Sequence, residues 1–205
     1  MPRPPKRLDK NSIALVVIDI QKLFVPLIHE MDLVIANASR QIRFSDRLDI
    51  PVLLTEHYSQ KLGATVEELS GLIPRCEPIE KTSFSCAGDH HFMTRLKSTH
   101  RQQVLLCGIE THVCVYQTAR DLLEEGYQVV VAADAVSSRQ AGNRDLGLAY
   151  MRDIGVQVMT SEMVFFELLR IARTDDFRAV ADILKENPQP GRIRPEPVDR
   201  NSAGA

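Results

Sequence analysis

The stretch QQVLLCGIETHVCVYQTARDLLEEG, Gln102 to Gly126, decides the fold. An apolar run ends in Gly108, a few residues of turn follow, and an amphipathic pattern runs from Val113 to Glu125. Gly126 then closes the pattern as a helix C-cap. This is a strand, a turn and a helix, with a cysteine, Cys114, where the turn becomes the helix.

Working outward, the same unit recurs. Toward the N-terminus, IALVVID (Ile13 to Asp19) is a continuous apolar run of the kind buried on both faces of a parallel sheet. From Met31 to Leu48, Leu33, Ile35, Ala36, Ala38 and Ile42 fall at helical spacing, and IPVLLTE (Ile50 to Glu56) is the next strand. Residues 57–100 are less regular. KLGATVEELSGLIP reads as a loop and a short helix, PIEKTSFSC as a short strand running into a turn, and DHHFMTRLKS as a helix. Beyond Gly126 come a strand in YQVVVAADAV, a helix from Arg139 to Asp153, a strand in GVQVMTS, and helices from Glu162 to Ile171 and Asp176 to Leu184.

Strand and helix in alternation predict an α/β fold. It is a single-domain, doubly wound sheet, mostly parallel, of about six strands with helices on both faces. The domain is expected over residues 11–186. The basic, Pro-rich residues 1–10 read as a flexible N-terminal tail. Residues 187–205, rich in Pro, Arg and Asn, read as a C-terminal tail, loose or draped over a neighbouring subunit.

Composition narrows the function. A hydrophobic fraction of 44% and a charged fraction of 25% are those of a soluble globular chain. A formal net charge of -2 gives no footprint for nucleic acid. No apolar run approaches the roughly 20 residues that cross a bilayer. No hydrophobic segment long enough for a secretory signal follows the N-terminal charges. Four cysteines without a C-x-x-C pair read as reduced thiols of a cytoplasmic protein.

In such sheets the ligand crevice lies beyond the carboxyl ends of the strands. Asp19, Glu56, Glu110, Asp134 and Ser161 are therefore expected along one rim. Cys114, at a helix start, is either a small core residue or a nucleophile whose thiolate the first-turn N–H groups favour. Cys107, inside a strand, belongs to the core. Asp19 is either a loop acid capping a backbone N–H or a general base facing the crevice. Lys81 lies on a solvated face or is a buried ammonium that holds a thiolate and a carboxylate. Phe24 and Phe84, close after strand ends, either wall the pocket or join the core. In DHH, Asp89 to His91, a solvated helix face is the expectation.

A family resemblance rests on ALVVIDIQKLF, PVLLTEHYSQKLGATVEEL, EKTSFSC and LLCGIETHVCVYQTARDLLEEGYQVVVAADAVSSR. Over roughly residues 10 to 175 the chain resembles the isochorismatase-like cysteine hydrolases, closest to the isochorismatase domain-containing proteins. The resemblance implies a catalytic triad of Asp19, Lys81 and Cys114. It also implies a cis Ile109–Glu110 peptide, with the Glu110 and Cys114 N–H groups forming an oxyanion hole. It implies an oligomer, a dimer or larger. TEHYSQ lacks the Asp-x-His pair with which nicotinamidases of this family hold a metal, so no metal and no cofactor are expected. The implied activity is hydrolysis of the C–N bond of a small amide or related molecule through a thioester-type intermediate. Two alternatives stay open: hydrolysis of an isochorismate-like ether by Asp19 without thiol attack, and a catalytically silent interaction protein of the same fold.

Overall fold

The computed structural model describes residues 6–186; residues 1–5 and the expected C-terminal tail, 187–205, lie outside the described part. The elements in chain order are β1 (Ile13–Ile18), α1 (Met31–Arg47), β2 (Val52–His57), two single-turn helices α2 (Ser59–Leu62) and α3 (Glu67–Ser70), and β3 (Ile79–Lys81). Then come α4 (His90–Ser98), β4 (Gln103–Ile109), a π-helical turn at Thr111–Val115, and α5 (Tyr116–Glu124). β5 (Gln128–Ser137), α6 (Ala141–Asp153), β6 (Gln157–Met159), α7 (Ser161–Leu169) and α8 (Asp175–Glu186) complete the chain.

The strands form one six-stranded sheet in the order β3-β2-β1-β4-β5-β6, and every pair is parallel. The apolar runs supply both faces at once because alternate residues of a strand point to opposite sides. Leu15, Val17, Leu105 and Cys107 pack with Val34, Ile42 and Phe165 of α1 and α7. Ala14, Val16, Val104 and Leu106 pack with Phe92, Ala119 and Met151 of α4, α5 and α6. Direction reverses between β1 and β4, since the chain builds outward to β3 on one side and to β6 on the other. That switch point is where the crevice of an open α/β sheet forms.

Three local readings change. The helix expected from Val113 begins instead as a π turn, so Cys114 stands outside the α-helical register of α5. Val115, Ala119 and Leu122 fall at helical spacing across the end of that wider turn, so periodicity does not reveal it. The strand expected to end near Asp134 to Val136 runs on to Ser137. The N-terminal tail is anchored over its described residues. Leu8, the one apolar side chain there, is fully buried, its N–H donates to Glu167 Oε1 (3.0 Å), and its carbonyl accepts from Arg170 (2.6 Å).

Candidate functional site

Pleat parity selects which residues meet. Thr55 and His57 on β2 and Lys81 on β3 share the sheet face of Leu53 and Ile79, whose cluster includes Cys86 and Cys114. Ile18 lies level with Thr55 on one side and Gly108 on the other. Asp19 therefore leaves β1 at the level where β4 turns toward Cys114. Its backbone is left-handed (φ 54°), a conformation that Asp tolerates better than most residues.

Gly108 makes this approach possible. Its φ of +124° suits glycine alone, and an added Cβ would lie 2.0 Å from the Ile18 carbonyl oxygen. The end of β4 thus lies directly against the end of β1, and the turn bearing Cys114 follows. The Ile109–Glu110 peptide in that turn is cis.

The polar groups form one buried network. Lys81 Nζ donates to Asp19 Oδ2 (2.7 Å), to the Ser83 carbonyl (3.2 Å) and to the Phe84 carbonyl (3.3 Å), which uses all the protons of an ammonium. The Lys81 and Asp19 side chains are 0% and 2% exposed. Thr55 Oγ1 donates to Asp19 Oδ1 (2.7 Å), and the Cys114 thiol lies beside the same carboxylate, close enough to feel its charge. A second thiol, Cys86, points at Thr55 Oγ1 (3.9 Å).

Electrostatics follow from this burial. Burial opposes the Lys81 charge, but the Asp19 carboxylate beside it favours that charge, and the pKa lies above the ordinary lysine value. Burial, then the Asp19 charge, push the Cys114 thiol upward against the pull of Lys81. Against the expectation of a thiolate favoured by helix N–H groups stand two influences that favour the thiol, desolvation and a neighbouring carboxylate. Cys114 rests as a thiol beside a carboxylate that can accept its proton.

A cavity of about 70 Å³ opens onto this network. Its apolar wall is Phe24, Phe84, Ile109 and Val113, and its polar groups belong to Asp19, His57, Glu110 and Cys114. Phe24 is half-buried against the core, whereas Phe84 is 52% exposed and stacks on the His57 ring. The buried Glu110 side chain accepts from the Arg139 N–H (2.9 Å) and Nε (3.1 Å), which fastens the end of β4 to the loop after β5.

An isochorismatase domain model matches residues 13–163. The chain belongs to the isochorismatase-like hydrolase family. Isochorismatase domain-containing protein 2B of Mus musculus is 41% identical over 181 residues, covering 88% of this chain and 84% of that protein. Among solved structures, the MAR1 ribonuclease of Caenorhabditis elegans is 34% identical with a TM-score of 0.82, over 94% of this chain and all of that one. The YcaC gene product of Escherichia coli, described as an octameric hydrolase of unknown specificity, is 28% identical with a TM-score of 0.84, over 89% of this chain and 91% of that one.

Within this isochorismatase-like fold, Asp19, Lys81, Cys114, Glu110, Phe24 and Phe84 all gather at one place, with Lys81 behind the cavity wall and the others lining it. The rest of the expected rim does not. Glu56 faces away and accepts from the Thr65 N–H (2.7 Å) and hydroxyl (2.8 Å). Asp134 accepts from the Ser161 N–H (2.8 Å) and hydroxyl (2.8 Å), at the start of α7. Both fall on the opposite parity, a distinction lost when strand ends alone are read. Asp89 caps α4 by accepting from the Phe92 N–H (2.9 Å), and His90 and His91 are exposed. Among the described residues no group of three or more His, Cys, Asp or Glu is placed to hold a metal. Thr55, His57 and Cys86 are the site residues that sequence reading missed. The one signal was a polar residue, Thr55, closing the apolar run PVLL.

Proposed function

We propose that the protein is a cytoplasmic cysteine hydrolase that cleaves the C–N bond of a small amide or related substrate, with Asp19, Lys81 and Cys114 as its catalytic triad. The observation carrying this reading is the buried Asp19 carboxylate, which binds the Lys81 ammonium at 2.7 Å and shares its cavity with the Cys114 thiol. Asp19 takes the thiol proton as Sγ attacks the carbonyl carbon, and the oxygen gains charge between the N–H groups of Glu110 and Cys114. Asp19 then returns the proton to the leaving nitrogen as the C–N bond breaks. A thioester remains, and water, deprotonated by the same carboxylate, releases the acid and restores the thiol. Lys81, bonded to Asp19 Oδ2 at 2.7 Å, holds the carboxyl group in position through these transfers.

No nucleic-acid substrate and no cofactor form part of this reading, since the net charge is -2 and the cavity lining includes no Lys or Arg. A homo-oligomer is proposed from the described octamer of the Escherichia coli neighbour. Light scattering of the purified chain tests that, and a monomer at micromolar concentration refutes it.

Ammonia release from a panel of small amides tests the activity. Turnover that vanishes in Cys114→Ala, with the fold intact by circular dichroism, is the expected result. Full activity in Cys114→Ala together with none in Asp19→Ala would move the assignment to ether protonation without thiol attack. No turnover of any substrate and a thiol as inert as Cys107 would leave an interaction protein.

A further inference from the structure

We propose that His57 selects the substrate, by hydrogen-bonding its uncharged amide end, and that the site therefore accepts small neutral amides and rejects carboxylate-bearing analogues. This rests on the reading of Cys114 and Asp19 as the reacting pair.

The charges around the cavity are already spent. Lys81 has every proton engaged, on Asp19 and two carbonyls, and no Lys or Arg lines the space. Arg139, just outside, is held by the Glu110 carboxylate (3.1 Å). A substrate carboxylate beside Cys114 would be desolvated with no cation to meet it and with Asp19 nearby, a costly arrangement.

The imidazole of His57 is the one uncharged polar side chain besides the thiol that lines the cavity. Its Nδ1 is buried and makes no hydrogen bond of full geometry, the Ser83 backbone lying near the ring, whereas most buried polar atoms have a partner. The ring is also held in place. Gln21 accepts from the His57 N–H (2.8 Å) and donates to its carbonyl (3.1 Å), and the ring stacks on Phe84 with centroids 5.5 Å apart. Burial first, and the Lys81 ammonium second, lower its pKa, so the ring is neutral near pH 7. A neutral, fixed imidazole can donate to or accept from an amide, and it brings no charge for a carboxylate.

Two alkylating probes of similar size test this without knowledge of the natural substrate. Iodoacetamide is neutral and iodoacetate anionic. Each is attacked by sulfur at its methylene carbon, with iodide leaving and the thiol proton passing to Asp19. Rates at Cys114 in the full chain are read by peptide mass spectrometry and divided by the rates with glutathione. The expected result is a normalised preference for iodoacetamide of roughly tenfold or more. His57→Ala should lower the iodoacetamide rate roughly tenfold and leave the iodoacetate rate unchanged. His57→Asn, which keeps a neutral donor and acceptor, should recover most of it. Fast alkylation with no preference, or an equal loss with both reagents in both variants, overturns the role of His57 alone. Rates at Cys114 no faster than at the buried Cys107 with either reagent overturn the catalytic reading and this inference with it.

Discussion

The side chain of Asp19 accepts from two donors, Thr55 and Lys81, and lies beside the Cys114 thiol. Its geometry, more than the reactivity of a free thiolate, defines the site. Because burial and Asp19 hold the Cys114 proton on, wild type and Cys114→Ala should show the same ultraviolet thiolate absorbance at neutral pH. A thiolate band already present at pH 7 would contradict this. The linkage sign follows from a raised native pKa. Below the ordinary thiol pKa of about 8.5 both states hold the proton and nothing is lost. Above it the unfolded chain ionises first, so stability relative to Cys114→Ala should fall between neutral pH and about pH 10. Denaturant titrations at each pH measure that difference. Thr55→Val removes one donor at nearly constant volume. Turnover should drop roughly tenfold to a hundredfold with circular dichroism unchanged, since a hydrogen bond to a charged group is worth about 1.5–3 kcal/mol.

At the scale of elements, the ends of β1 and β4 matter most. Gly108 pairs with Ile18, and the register of β4 against β5 shifts between Leu106 and Gly108. Gly108→Ala would drive a methyl group into the Ile18 backbone at a φ that alanine avoids. The variant should lose more than about 3 kcal/mol in chemical unfolding, or fail to fold. A loss below about 1 kcal/mol would mean that β4 can retreat from β1 at little cost. The π turn after β4 is the element that periodicity hides. Val115, Ala119 and Leu122 run through its end at helical spacing, while the extra residue per turn shifts Cys114 out of line with α5. The parallel strands were plain in the sequence, because a run apolar on every residue fits only a strand covered on both sides.

For the whole molecule, the Lys81–Asp19 pair ties β3 to β1 across the intervening β2. Lys81→Met leaves the Asp19 carboxylate buried without its cation, and should destabilise the protein by about 3–5 kcal/mol. The double variant Lys81→Met with Asp19→Asn should regain a large part of that loss, as read by thermal and denaturant unfolding. Equal stability of the single and double variants would show that the ammonium is not what keeps the carboxylate tolerable. The strand order, which places Asp19 and Cys114 on either side of the switch point, also explains why one site draws on segments about ninety residues apart in the chain.

The amino-acid order by itself determined the alternation of strands and helices and the doubly wound class and, through resemblance to family motifs, pointed to Asp19, Lys81 and Cys114. Those features are local in origin, since hydrophobic period, turn chemistry and short motifs are written along the chain. Only the tertiary structure decided that Thr55 and His57 face the site while Glu56 and Asp134 do not, that Leu8 is anchored, and that Cys114 is buried beside a carboxylate. Each of these depends on which face of the sheet a residue meets and on how far water is excluded there, and both are set by partners remote in sequence.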